Sequence, residues 1–265
     1  MCVTDDKRTL ACNGARKHCY DFSSRGYVNL AGSRGTTGDS KQAVRSRTDF
    51  LNKGYYAPIA DRLVELIKKY KSEGFVVDAG CGEGYYTERV ASCGYRVMGI
   101  DLSKFAVDTL ASRLRCKTNK DAFAVVSSIF EMPLTDGCAD AVLSIFAPCA
   151  EAEIYRVLSN DGIFIVVSAG KEHLMGLKRA IYSNAYENEE RADMPRGLRF
   201  LEKSSLSYEI SIGTNKEILD LFSMTPYYWR TSQNDFEKLK ELSELTTKID
   251  IDFSVYTKDT TIEDN

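Results

Sequence analysis

The feature that most constrains this chain is the run Val76-Val77-Asp78-Ala79-Gly80-Cys81-Gly82-Glu83-Gly84-Tyr85-Tyr86, with Asp101 closing the next apolar stretch. The apolar residues from Phe75 to Val77 read as a buried strand. Three glycines at alternating positions then bring the backbone close to a ligand before a helix opens near Tyr85. A dinucleotide-binding turn spaces its glycines G-x-G-x-x-G and seats a pyrophosphate on the helix N-terminus. Here the spacing is G-x-G-x-G, and Asp78 lies two residues before Gly80, where its carboxylate would meet a pyrophosphate. Asp101 follows Tyr95-Arg96-Val97-Met98-Gly99-Ile100, the place from which an acid accepts hydrogen bonds from two ribose hydroxyls in related folds. A glycine turn beside an internally satisfied acid would explain either feature alone, but not their linked spacing.

At 265 residues the chain has room for one large α/β domain and a small appendage. It lacks a run of about 18 apolar residues and an N-terminal signal pattern, so a soluble, cytoplasmic protein is expected. Cys81, Cys93, Cys116, Cys138 and Cys149 show no framework spacing and read as reduced thiols. The net charge of -3 conceals an asymmetry: residues 1–53 carry ten Lys and Arg against five Asp, leaving the remaining residues strongly acidic. A basic segment on an acidic protein is the mark either of a nucleic-acid-facing surface or of a solvated face with no partner.

The organisation expected is a small Cys/His module over 1–35, a linker and helical segment over 36–72, and the main domain over 73–260. Ala31 to Ser40, rich in Gly, Ser and Thr, reads as a mobile linker. A helical pattern opens at Ser46, is interrupted near Pro58 and resumes from Ile59 to Tyr70. Strands over 75–79, 95–101, 122–126, 139–146 and 162–168 alternate with helices over 85–93, 104–115 and 150–158. That alternation predicts an α/β, doubly wound, mostly parallel sheet with helices on both faces. Beyond it the pattern predicts a helix over 171–181, a polar insertion over 182–203, strands over 207–212 and 248–256, and helices over 215–222 and 236–245.

The glycine motif is similar to the first motif of class I S-adenosylmethionine-dependent methyltransferases, in which an acid near the loop suits a ligand carrying an ammonium and a sulfonium. More specifically, "RGYVNL" (Arg25 to Leu30), "DAGCGEGYYT" (Asp78 to Thr87), "FAPC" (Phe146 to Cys149), "HLMGLK" (His173 to Lys178) and "MTPYYWR" (Met224 to Arg230) resemble the bacterial 23S ribosomal RNA guanine-N1 methyltransferases. The resemblance implies a Rossmann-like methyltransferase domain, S-adenosylmethionine as donor, large-subunit ribosomal RNA as acceptor, a zinc-ribbon-like N-terminal module and often a homodimer. It places cofactor contacts on Tyr56, Gly82, Glu83 and His173. Asp78, Gly80, Gly84 and Asp101 complete the cofactor set, with Ser127 and Ser128 in the region where this fold holds the adenine.

Tetrahedral zinc needs four N or S ligands. The family supplies a C-x2-C pair followed by a downstream Cys and His. This chain offers Cys2, Cys12, His18 and Cys19, with no cysteine paired ahead of Cys2. Either these four make a rearranged site, or the module has lost a ligand, or a cysteine precedes Met1 in a longer chain.

The "FAPC" segment ends a strand at the edge of the sheet where open α/β folds present ligands. Pro148 and Cys149 are therefore acceptor-site candidates, with the Ala147 and Pro148 backbone offering a rigid wall and a carbonyl. No convincing base for the guanine N1 proton emerges from the sequence. Arg34, Lys41, Arg45, Arg47 and Lys53 are candidate phosphate contacts, and Tyr55 or Trp229 candidate stacking rings. Two other readings stay open: a small-molecule methyltransferase with a decayed N-terminal module, and a non-catalytic RNA-binding protein that keeps the fold.

Overall fold

In the computed structural model, residues 2–4, 8–12, 14, 18–31, 38–115, 121–189 and 195–259 are described. Four short strands come first: β1 (Cys2–Val3), β2 (Thr9–Ala11), β3 (Cys19–Asp21) and β4 (Val28–Asn29). The first three form a small antiparallel sheet, while β4 leaves it and pairs in parallel with the edge of the main sheet. Helices α1 (Lys41–Leu51) and α2 (Ala57–Tyr70) lead into that sheet. Ser40 accepts from the Ala43 amide and opens α1 five residues before the pattern at Ser46. Pro58 occupies the first turn of α2, where its missing N–H is harmless, so it starts a helix and does not merely interrupt one.

The main sheet is built from β5 (Phe75–Ala79), β6 (Arg96–Asp101), β7 (Ala122–Val126), β8 (Ala139–Ile145), β9 (Leu158–Ala169), β10 (Leu198–Ile212) and β11 (Leu245–Lys258). Its strand order is β10-β11-β9-β8-β5-β6-β7-β4, with β11 antiparallel to both neighbours and β5 to β9 mutually parallel. Helices α3 (Tyr85–Ala91), α4 (Lys104–Arg115) and α5 (Glu151–Val157) connect the parallel strands, and α6 (Met175–Ile181) follows β9. Alternation along β5 sends Val76 to a core shared with α2, α3 and α4, and Val77 and Ala79 to a second core beneath α5. Phe50, Phe164, Phe222 and Phe253 are almost wholly enclosed in these layers. Each contributes about 1.5–3 kcal/mol by leaving water.

Several boundaries differ from the sequence pattern: β9 and β11 run longer at both ends than 162–168 and 248–256, and the helix expected over 236–245 spans Gln233–Lys240. The 182–203 segment is not wholly a polar insertion, because its end belongs to β10, a fifteen-residue edge strand. From Glu202 onward less accessible and exposed positions alternate, so Lys203, Ser205, Ser207 and Glu209 ride on the accessible side and mimic a loop composition. Residues 171–174 form a turn instead of helix: Asp250 accepts the Glu172 amide and Leu174 adopts φ +59° before α6 begins. Between β10 and β11 lie α7 (Asn215–Ser223), a short 3-10 helix (Pro226–Trp229) and α8 (Gln233–Lys240), opened by the Ser232 cap. Since β10 runs in the direction of β9, this insertion sits over the carboxyl ends of the strands, with α1 packed against α7.

Candidate active site

The glycine turn leaves β5 with Gly80, Gly82 and Gly84 at φ +84°, +54° and +87°. Two of these positions are doubly constrained: a Cβ on Gly80 would come within 2.7 Å of the Ala147 methyl, and one on Gly84 would run into Leu110. Asp78, at the end of β5, is buried; its Oδ2 accepts from the Thr87 hydroxyl at 2.5 Å, and its Oδ1 has no partner among the described residues. Burial pushes its carboxyl up to about 7, Thr87 opposes the rise, and the charge of Asp101 adds to it. Asp101 accepts from the Gly82 amide at 3.0 Å and the Ser103 amide at 2.7 Å, each oxygen keeping a further lone pair. Glu83 is buried against Arg113 at 2.6 Å, with its other oxygen unmatched among the described residues; burial raises its pKa and Arg113 opposes the rise.

A segment N-terminal to the sheet folds over this turn. The Ser103 hydroxyl donates to the Asp39 carbonyl at 2.8 Å, Asp39 pairs with Arg47, and the Arg47 guanidinium lies against Gly82. Arg47 thus stands beside the glycine loop. Lys53 is paired with Glu217 at 2.7 Å, tying the end of α1 to α7. Lys41 and Arg45 are exposed, whereas Arg34 lies outside the described residues.

On the other side of the turn, β8 ends at Ile145 and the chain bends sharply through Phe146 at φ +52°. Ala147 rests against Gly80, Pro148 is exposed and Cys149 is half-buried. The Ser144 hydroxyl lies 3.2 Å from the Ala147 carbonyl and 3.5 Å from that of Pro148, so the carbonyl expected to face an acceptor is already engaged from the strand below. His173 is buried, and its Nδ1 accepts the Asp250 amide at 3.3 Å, which places the proton of the neutral ring on Nε2. Burial and the charge of Lys178 lower its pKa to about 4, so it enters as an N–H donor and not as a base. Its ring lies 6.2 Å from Phe146 and 6.3 Å from Tyr56. Tyr56 is buried, held at the start of α2 against the edge of Phe50. Ser127 donates its amide to the Asp101 carbonyl at 3.1 Å, and the Ser128 hydroxyl accepts from Phe130.

The structure therefore gathers Asp78, Gly80, Gly82, Glu83, Gly84, Asp101 and Ser127 on one flank. Tyr56, His173 and the 146–149 bend meet on the other. Sequence reasoning passed over Thr87, Arg113, Asn188 and the ring of Phe146. Thr87 and Phe146 lay inside quoted motifs; Arg113 and Asn188 carry no pattern and reach the site only through folding.

Of the four expected zinc ligands, the structure describes Cys12, His18 and Cys19, and for Cys2 only its backbone register. The Cys12 amide donates to the His18 carbonyl at 2.8 Å, while Cys19, next to His18, pairs with Ala11 one step along the ladder. Cys2 stands opposite Ala11 in register. The Cys12 Sγ accepts from the Gly14 amide at 3.4 Å. Among the described residues no three His, Cys, Asp or Glu side chains gather as a metal site.

A buried turn with an orphaned acid at its base and a second acid at the end of the next strand is the chemistry a cationic nucleoside requires. The family model described as "Methyltransferase domain" matches residues 77–166. A candidate methyltransferase structure from Bacillus halodurans C-125 superposes with a TM-score of 0.52 at 13% identity, covering 75% of this chain and 98% of that one. The chain thus carries a methyltransferase domain on the class I, Rossmann-like methyltransferase fold. Within that class it is similar to YxjB of Bacillus subtilis (strain 168), a candidate 23S rRNA (guanine-N(1)-)-methyltransferase, at 29% identity over 94% of this chain and 90% of the relative. It is also similar to the 23S rRNA (guanine(748)-N(1))-methyltransferase of Streptomyces fradiae, at 34% identity over 66% of this chain and 62% of the relative.

Proposed function

We propose that this protein methylates N1 of a guanine in 23S ribosomal RNA. The observation that carries the reading is the extent of the similarity to YxjB, which runs through the N-terminal module and the β10–β11 insertion as well as the cofactor half. Bound S-adenosylmethionine supplies a methyl group already activated on a sulfonium. The chain's own residues then have to hold and align. Asp101 offers its remaining lone pairs to ribose hydroxyls. The orphaned Asp78 oxygen offers an acceptor for positive charge, and Gly80, Gly82, Glu83, Gly84, Tyr56, Ser127, Ser128 and His173 complete the cofactor walls. Pro148 and Cys149 border the acceptor; the methyl group leaves sulfur for N1 while the N1 proton passes to solvent water, and alignment of N1 with the departing sulfur is the chain's main contribution.

Lys41 and Arg45, exposed on α1, are the available phosphate contacts of the basic set among the described residues. A homodimer in the cytoplasm completes this reading. The irregular order of Cys2, Cys12, His18 and Cys19 in the sequence favours a second one, a small-molecule methyltransferase whose module no longer recognises RNA. Nucleoside mass spectrometry of unmodified large-subunit ribosomal RNA, incubated with the protein and S-adenosylmethionine, separates them. N1-methylguanosine is the expected product; confirmed cofactor binding with no new nucleoside would reject the RNA assignment.

A further inference from the structure

Phe146 is anomalous in three independent ways. It is 46% exposed immediately after a strand whose last five residues are buried. It holds φ +52°, a conformation that a bulky side chain adopts only when its surroundings force it. Its ring lies nearly parallel to that of His173, at 14° and 6.2 Å. The only other non-glycine residue with positive φ among the described residues is Leu174, the neighbour of His173. Both sites of backbone strain therefore serve one aromatic pair, and strain of this kind concentrates where a side chain must be aimed.

The pair stands at the ligand-bearing end of the sheet. Ala147, next to Phe146, touches Gly80 of the cofactor turn, which puts the ring within one residue of the wall separating cofactor from acceptor. On its far side the position of His173 is fixed by its hydrogen bond with the Asp250 amide and by Asn188, whose side-chain amide donates to the His173 carbonyl at 3.0 Å. The ring is thus backed by a rigid neutral imidazole while retaining open surface. A planar heteroaromatic acceptor needs its plane fixed so that one ring nitrogen lies in line with the sulfur, and a stacked aromatic fixes a plane without consuming the hydrogen-bonding edge.

We infer that Phe146 is the platform on which the acceptor base stacks during methyl transfer, a substrate-contacting residue of the site. This assignment rests on the RNA-guanine reading above and deepens it.

The test compares wild type with Phe146→Leu, which keeps apolar bulk but has no π face, and Phe146→Tyr, which restores one. S-adenosylmethionine affinity by calorimetry and the melting temperature serve as controls for folding and for the cofactor half. Steady-state kinetics on unmodified ribosomal RNA is the readout. Phe146→Leu is expected to lose about 5- to 100-fold in kcat/KM for RNA. Its cofactor affinity should stay within about twofold, and Phe146→Tyr should stay within about threefold of wild type. Leu activity equal to wild type, with N1-methylguanosine formed by both, overturns the assignment alone. Equal loss in Leu and Tyr overturns it in favour of a packing role. A wild-type protein that forms no N1-methylguanosine overturns the RNA reading and this assignment with it.

Discussion

Asp78 sits between fold stability and ligand binding. Its carboxyl is raised from 3.8 to about 7 because it is enclosed with one oxygen unmatched among the described residues. A group whose folded pKa exceeds its unfolded value binds its proton more tightly when folded. The apo protein therefore loses stability as pH rises from about 4 to 7, and the whole loss is present above that window. Asp78→Asn is expected to raise the apo melting temperature at pH 8 by about 2–4 °C per kcal/mol relieved, with no gain near pH 4. It should weaken S-adenosylmethionine binding. Thermal scans across pH with and without the cofactor check both; a variant no more stable than wild type at pH 8 sinks the argument. The acid at the end of the second parallel strand was as legible as Asp78, because both are set by local spacing within one strand-turn-helix unit. Arg47 was not, since its place beside Gly82 depends on α1 folding back across 35 residues of chain.

At the scale of elements, the most unusual contact joins α6 to the segment after it. Lys178 is buried; its Nζ donates to the Tyr186 carbonyl at 2.8 Å and to the Asn188 side chain at 2.7 Å, beneath the rings of Tyr186 and Tyr227. Burial lowers its pKa, and no carboxylate is paired with it among the described residues. Asn188 also receives the Tyr227 hydroxyl and donates to Gly170, so one amide links β9, α6 and the 3-10 helix. Removing the amide leaves the buried ammonium only the Tyr186 carbonyl and two ring faces, whereas removing the ammonium leaves an amide that still has partners. Asn188→Ala is therefore expected to cost about 2–4 kcal/mol and Lys178→Met distinctly less. The double variant should resemble Lys178→Met more than the sum of the two, a coupling that denaturant titration reads directly. None of this was visible in sequence, where 182–203 was merely polar. The strands buried on both faces were legible because continuous apolar runs leave little choice. The edge strand β10 was only half legible, since one wet side makes its composition resemble a loop.

Across the whole molecule, the N-terminal residues are tied to the domain by more than a peptide linkage. β4 extends the main sheet beside β7, Tyr27 is buried in the core, Arg25 reaches Ser112 and Asp108, and Arg115 donates to the Ser24 carbonyl. Tyr27→Ala is expected to remove about 2–4 kcal/mol and to make the 18–31 stretch the first site of limited proteolysis. Wild type should be cut there no sooner than within the sheet, and early cleavage of wild type would show that the attachment is loose. A module joined through a shared sheet edge behaves as a calliper jaw and not as a tethered hand. On the ribosomal RNA reading proposed above, whatever it grips is held at one set separation from the departing methyl group, so a partner of the wrong span is refused by length before any of its chemistry is inspected.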